Sequence, residues 1–553
     1  MHLQQWLTRW DQDVLRGATA EKKGRDVNVR IFRPRAGPLL GSTAIAFALS
    51  ATLAWAAQPQ AGAVQPVEAP PPSAPRPPAA VDVPEQAAPG EVAPTPALRP
   101  RAIDVQLTDS QIATLRQALA DAGAHGLKAR NYDVGDIDAA LNGPEELRRE
   151  AVGRLIEASL RYARAVHSGQ LPEDKFMKNW GMRPEPYDPA PPFIQAVRQD
   201  RLTSWLGSLA PPYTGYEDLQ KGLVTYRQIA ERGGWKPVPE GPDLKLGSSD
   251  ARVIALRRRL AAEDPRLTAD GGPVFDEALK EAVVRAQKRY GLNPTGVVSK
   301  GTLVSLNVPV KRRIEQIQAN MERWRWMPQS LPADRVQVNI AAAVLTVFNG
   351  DEPTMSMRAV TGRPGDETPM LVSRIHSIVF NPPWNVPSSI ATKELWPKER
   401  AHPGYFAAND FIVIPTGDGG NRLQQKAGPK AALGRVKFDF SNPYGVYLHD
   451  TPSRSKFDSY SRLASHGCVR LQRPVVLAKA LLKGDETWTA EAVDAALTDE
   501  KTVRAQLPSQ MTVLLFYWTA YVAPDGAVNF RNDPYGWDTE LVQRIAAGAG
   551  STA

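Results

Sequence analysis

Cys468 is the only cysteine in the 553 residues, so no disulfide can form within the chain and each folded part must be held by apolar burial. With 42% apolar and 23% charged residues the chain has material for such cores, and its length allows three or more domains. On composition alone a lone cysteine reads as a small buried hydrophobe. Its neighbours argue otherwise. Gly467 lets the backbone approach a ligand closely, while His466, Arg470 and His449 supply three partners for a thiolate. A helix is predicted to start at Pro474, because proline suits a first helical position. The stretch reads as an activated sulfur.

The formal charge of +8 is unevenly placed: residues 1–37 hold eight Lys/Arg against four Asp/Glu, so about half the surplus precedes the first apolar run. The remaining body is mildly basic, which is compatible with an anionic polymer and makes no case for nucleic acid. Residues 38–57 carry no charge and read Leu39, Leu40, Ile45, Phe47, Leu49, Leu53, after Arg30, Arg33 and Arg35. That is an export signal. Ala54-Trp55-Ala56 offers a cleavage site, and twenty residues also suffice to span a bilayer, so a cleaved signal peptide and an inner-membrane anchor are both open. The long basic region ahead of it, which would stay cytoplasmic, favours the anchor. Residues 58–102 hold 13 of the 49 prolines and are expected to be an extended linker.

Residues 103–240 turn helical in pattern. Ile112, Leu115 and Leu119 share a face, and Val152, Leu155, Ile156, Leu160, Ala163 and Val166 make a stripe ending at Gly169. His125 and His167 stand alone and read as surface or helix-end residues. Residues 241–308 form a compact helical unit, with Val253, Leu256 and Leu260 on one helix and Leu279, Ala282, Val283, Ala286 and Tyr290 on the next. Ile314, Ile317, Met321 and Trp324 mark an amphipathic helix within 309–330. From Val336 the period becomes two, with a hairpin predicted at Asn349-Gly350. Further strands are expected at Ile375–Phe380, Val446–His449 and Met511–Val522, the last turning at Asp525-Gly526. Strands without regular helical crossovers imply a mainly antiparallel β domain over 331–530, followed by a C-terminal tail, 531–553. The fold class is therefore multidomain α+β. Gly417-Asp418-Gly419-Gly420 reads as a loop tip, since no strand-to-helix context accompanies it.

His449, fifteen residues, then Ser465-His466-Gly467-Cys468-Val469-Arg470 resembles the active-site motif of the L,D-transpeptidases, YkuD-type cysteine enzymes that cross-link bacterial peptidoglycan. Thr368-Pro369-Met370, Asn381-Pro382-Pro383-Trp384-Asn385-Val386-Pro387, His402-Pro403-Gly404-Tyr405 and Ala432-Leu433-Gly434-Arg435-Val436-Lys437-Phe438 match the same family. The resemblance extends upstream to its large Gram-negative members. Region 103–240 is similar to their scaffold domain, and 241–308, with Ala286-Gln287 before Gly291-Leu292, to a three-helix peptidoglycan-binding domain. Region 309–330 resembles their bridging helix, and about 388–430 their substrate-capping insertion. For 241–308 a purely structural spacer is the alternative.

The resemblance implies that Cys468 is the nucleophile and His449 the general base, with Asp450 orienting the imidazole through its backbone carbonyl and Gly467, with Cys468, giving backbone N–H groups to the oxyanion. It further implies that His466 and Arg470 position the substrate, and that Tyr447, Tyr444 and Trp384 wall the pocket. The expected partners are peptidoglycan stem peptides and glycan, and the location is the periplasm. The expected reaction joins third-position diaminopimelate residues through a cysteine thioester with release of D-alanine, and the resemblance implies acylation by carbapenems. The same acyl-enzyme would serve an L,D-carboxypeptidase or D-amino-acid exchange; a catalytically inactive wall-binding scaffold is the alternative from another class, although it should have lost the nucleophile or base. A papain-like protease lacks its expected local sequence. No metal and no cofactor is expected, since the seven histidines are scattered and no glycine-rich nucleotide loop occurs.

Overall fold

A computed structural model of the protein describes residues 105–549 apart from 418 and 524, so the expected basic N-region, the signal or anchor and the linker lie outside the described residues. No described helix is long and apolar enough to cross a membrane. Helix α1 (Asp109–Ala120) begins at Thr108, whose hydroxyl accepts from the Gln111 N–H while the Gln111 side chain accepts from the Thr108 N–H. This reciprocal pairing satisfies donors that a helix start leaves open. The stripe read on α2 (Glu145–Ser168) buries Leu155, Ile156, Ala163 and Val166 against Ile112, Leu115 and Leu119 of α1. Helix α3 (Thr214–Glu231) instead turns Tyr216, Leu219, Leu223 and Tyr226 toward a second, larger core.

That second core runs on through three further helices, α4 (Arg252–Ala261), α5 (Glu277–Arg289) and α6 (Lys300–Leu306). Asp276 caps α5 by accepting from the Leu279 N–H at 2.8 Å. Gln287 has a structural task. Its amide donates to the Val297 carbonyl at 2.8 Å and its oxygen accepts from the Gly296 N–H at 2.9 Å, closing a turn in which Gly296 has φ +72°. Helix α7 (Val310–Trp324) follows, with Ile317, Met321 and Trp324 fully buried.

The strands after α7 pair into a closed ring. The ring strands are β1 (Arg335–Asn339), β2 (Val344–Asn349), β3 (Glu352–Gly362), β4 (Leu371–Phe380), β8 (Val436–Phe440), β9 (Leu448–His449), β11 (Val469–Leu471) and β12 (Val503–Phe516). They follow one another as β1-β2-β3-β11-β9-β8-β4-β12, and β12 returns to β1. Pairs β1–β12 and β9–β11 are parallel and the others antiparallel. β10 (Leu463–Ser465) adds to β3 in parallel. Closure removes the open edges that would otherwise template aggregation. The hairpin at Asn349-Gly350 forms, with Gly350 at φ +59°.

Two expectations need correction. The strand expected over Met511–Val522 is two: β12 starts at Val503, and Ala520–Val522 forms a separate hairpin with Val528–Phe530. The early part of β12 is largely exposed and its register shifts between Gln506 and Met511, which breaks the alternation a sequence pattern relies on. Residues 531–553, expected as a tail, contain helix α9 (Trp537–Ala549), whose Trp537 and Leu541 are buried in the large core. Helix α8 (Pro474–Leu481) starts at the predicted proline.

A small insertion sits between β4 and β8. Its strands β5 (Trp384–Asn385), β6 (Phe411–Pro415) and β7 (Asn421–Gln425) form a separate sheet with a core of Val386, Leu395, Phe406, Phe411 and Leu423. The glycine-rich stretch read as a loop tip is the turn joining β6 to β7, where the Thr416 N–H donates to the Gly420 carbonyl at 2.9 Å.

Candidate active site

Strand register assembles the site. His449 of β9 stands opposite Lys437 of β8 on one side and Arg470 of β11 on the other. Side chains alternate across a strand. Phe438, Leu448 and Val469 therefore fill the barrel core, whereas Lys437, His449 and Arg470 lie in a row on the opposite face. Tyr447 and Cys468 come immediately before these two strands, and the Val469 N–H donates to the Tyr447 carbonyl at 3.1 Å. Cys468 is half-buried and free.

His449 is only 4% exposed, and burial together with Arg470 lowers its pKa to about 3. The backbone carbonyls of Asp450 and Leu433 approach the ring and partly oppose this, but Nδ1 is buried without a well-formed hydrogen bond. The Cys468 thiol moves the other way. Burial pushes it up, against the Tyr447 backbone N–H and hydroxyl, which both favour the thiolate, and more weakly against Lys437 and Arg470. Burial thus disfavours both the thiolate and the imidazolium at this pair. Tyr447 receives a hydrogen bond from Trp384, has Lys437 Nζ 4.4 Å above its ring, and meets the His449 ring edge-on at 5.5 Å. Arg470 Nε is buried without a hydrogen-bond partner among the described residues.

The other expected residues divide. Asp450 turns its carboxylate away from His449: it accepts from the Arg435 N–H at 2.9 Å and pairs with Arg454 at 3.1 Å, so no side-chain charge supports the imidazole. The Gly467 N–H, expected to serve an oxyanion, donates to Ser465 Oγ at 3.2 Å and is occupied. Gly467 has φ +107°, and its carbonyl accepts from Thr368 Oγ1 at 2.7 Å. Tyr444, expected to wall the pocket, donates instead to the Lys178 carbonyl at 2.8 Å, where Gly181 is required because a Cβ would lie 2.4 Å from the Tyr444 oxygen. His466 Nε2 lies 2.7 Å from Glu394 Oε1, and Glu394 also pairs with Arg363 at 3.2 Å. Neither Lys437, which lies in one of the family-matching stretches, nor Glu394 is read as a site residue from the sequence. Lys437 shares an alternating strand with Phe438, but its register with His449 is a tertiary fact. Glu394 comes from the insertion, 72 residues from His466, and carries no local signal.

A cleft of about 750 Å³ beside Asp450 and Arg454 contains neither Cys468 nor His449. Its arginines 435, 454 and 473 all donate to backbone carbonyls.

The family model for the L,D-transpeptidase catalytic domain (YkuD) matches residues 333–489. A scaffold-domain model matches 103–223, and one described as "Putative peptidoglycan binding domain" matches 249–306. A Haemophilus influenzae protein described as "Putative L,D-transpeptidase" is 30% identical over 245 residues, or 41% of this chain; the chain spans about half, 49%, of that relative. Among solved structures, an L,D-transpeptidase from Xylanimonas cellulosilytica is 18% identical over 50% of this chain and all of that one, with a TM-score of 0.17. An L,D-transpeptidase from Stackebrandtia nassauensis is 14% identical over 51% of this chain and 96% of that one, with a TM-score of 0.20. At these TM-scores the two carry no structural argument.

Proposed function

We propose, starting from a chain whose residues 333–489 are an L,D-transpeptidase catalytic domain of the YkuD family, that this protein cross-links peptidoglycan between third-position diaminopimelate residues through a thioester on Cys468. The observation that carries the reading is that His449 stands opposite Arg470 across two paired strands within that domain, with Cys468 immediately before the second strand and Arg470 Nε buried without a hydrogen-bond partner among the described residues. The bond between diaminopimelate and D-alanine is exchanged without ATP, so its energy has to be stored, and a thioester stores it.

In this reading His449 takes the Cys468 proton as sulfur attacks the carbonyl, and returns it to the departing D-alanine amine. Because burial disfavours both the imidazolium and the thiolate, the proton moves as the S–C bond forms rather than before it. Tyr447 stabilises charge that develops on sulfur. Since Ser465 occupies the Gly467 N–H, the Cys468 N–H is the remaining oxyanion donor from this loop, a contribution of about 3 kcal/mol. Arg470 receives a substrate carboxylate, and Trp384 with Tyr447 forms the wall toward the insertion. Residues 241–308 hold the enzyme on the wall polymer, and the protein works in the periplasm, tethered there if 38–57 is retained as an anchor. The same acyl-enzyme accepts carbapenems.

Incubating the protein with a disaccharide-tetrapeptide and weighing the products tests this. The expected result is a cross-linked dimer, a mass increase on Cys468 and released D-alanine, with all three lost in Cys468→Ala. Cross-linking that persists in Cys468→Ala overturns the mechanism.

A further inference from the structure

We propose that His466 and Glu394 form a second base, serving the acceptor amine, which takes the proton from that amine as it attacks the Cys468 thioester. This rests on the acyl-enzyme reading above. Opening the thioester by a primary amine requires a proton to leave nitrogen, and an alkyl ammonium has an ordinary pKa of about 10.4, so the step needs a base matched to working pH. His449 is ill matched. It is 4% exposed, it lies beside Arg470 on the sheet, and its pKa of about 3 suits proton uptake from a thiol in concert with bond formation rather than from an approaching cation.

His466 has the complementary properties. It lies two residues before Cys468 and retains 27% of its side-chain surface, so an external amine can reach it. Its Nε2 is 2.7 Å from Glu394 Oε1. An ionised carboxylate only accepts, so Nε2 carries a proton toward Glu394, and no described residue hydrogen-bonds Nδ1. Glu394 remains ionised: the hydrogen bond from His466, and then Arg363, hold it below the usual carboxylate range. Arg363 is itself fixed, by Asp366 at 2.6 Å and through its own N–H to the Ser465 carbonyl at 3.0 Å. Glu394 sits on a π-helical turn, Ala391–Leu395, of the insertion, a local winding that recurs at functional sites. The insertion thereby delivers a carboxylate to the loop of the nucleophile, where it orients the imidazole and attracts an ammonium group.

The step balances. The acceptor first gives one ammonium proton to bulk water; the free amine nitrogen then bonds to the thioester carbon and gives its second proton to His466 Nδ1; the C–S bond breaks with its electron pair on Cys468; the imidazolium then returns that second proton to the thiolate. His466 is the catalytic residue, and Glu394 a positioning residue acting through it.

The test measures, in the full-length protein supplied with disaccharide-tetrapeptide, the ratio of cross-linked dimer to hydrolysed tripeptide. Only the amine route needs this base to meet a cation. In Glu394→Gln the ratio is expected to fall by roughly ten-fold or more, to recover in part in Glu394→Asp, and to fall no further when His466→Gln is added, because groups that act as a unit are non-additive. A thermal melt and Cys468 labelling by iodoacetamide report whether each variant is folded. A ratio within about two-fold of the unaltered protein in folded Glu394→Gln overturns the proposal, as do effects of the two substitutions that simply multiply. If the unaltered protein forms no acyl-enzyme, both this proposal and the transpeptidase reading fall; an acyl-enzyme with an insensitive ratio removes this proposal alone.

Discussion

At the scale of single residues, the burial that tunes His449 also links the site to stability. In the fold its pKa is about 3, whereas an exposed histidine titrates near its ordinary 6.5. Between those values the unfolded chain binds a proton that the folded protein refuses, so stability falls as pH drops from about 6.5 toward 3, by up to about 1.4 kcal/mol per pH unit for one group. His125, lowered to about 4 by burial, acts in the same direction. His449→Gln should therefore flatten the pH dependence by about one proton over this range without abolishing it, as read from urea midpoints at several pH values. Unequal residue types explain what could be read in advance. Cys468, His449 and Arg470 stand out in the sequence, because their chemistry is rare and their spacing fixed. The bonds made by the Asp450 carboxylate, the Gly467 N–H and the Tyr444 hydroxyl do not, because each depends on where one group points: toward Arg435, toward Ser465 and toward Lys178 respectively.

At the scale of elements, α7 shows how far a periodic pattern reaches. Ile317, Met321 and Trp324 mark its buried face in the sequence, and nothing there marks Glu322 as buried too. Glu322 Oε2 pairs with Arg325 at 2.7 Å while Oε1 accepts from the Gln170 N–H at 2.6 Å and the Leu171 N–H at 3.2 Å. Gly169 is obligatory at that join, with φ +97° and a would-be Cβ only 2.4 Å from Glu322 Oε1. Removing one partner of a buried pair strands the other. Glu322→Gln is expected to destabilise the protein by about 3–5 kcal/mol, visible as a lowered urea midpoint. The hairpin at Asn349-Gly350 and the Pro474 helix start were legible because their signals are local. The closure of the barrel and the early part of β12 were not, since pairing of distant strands leaves no short-range trace.

At the scale of the molecule, one core joins α3, the three-helix unit, α7, the barrel and α9. The span matched by the catalytic-domain model ends at 489, yet β12, which lies between β1 and β4, starts at Val503. A fragment comprising 333–489 alone therefore leaves β1 and β4 each with one open edge and the core open to water. It is expected to aggregate or to give no cooperative unfolding transition, whereas the chain through 549 unfolds cooperatively; circular dichroism and light scattering separate the two outcomes.

The ring of strands closes where residues 335–339 meet 512–516 in parallel. Joining segments so far apart along the chain makes for slow folding, because the loss of freedom precedes the contacts that repay it. In a polypeptide made from its N-terminus, Cys468 is thus synthesised before residues 503–516, the strand that completes the barrel. If the proposed function holds, acyl transfer waits for that strand to join the ring.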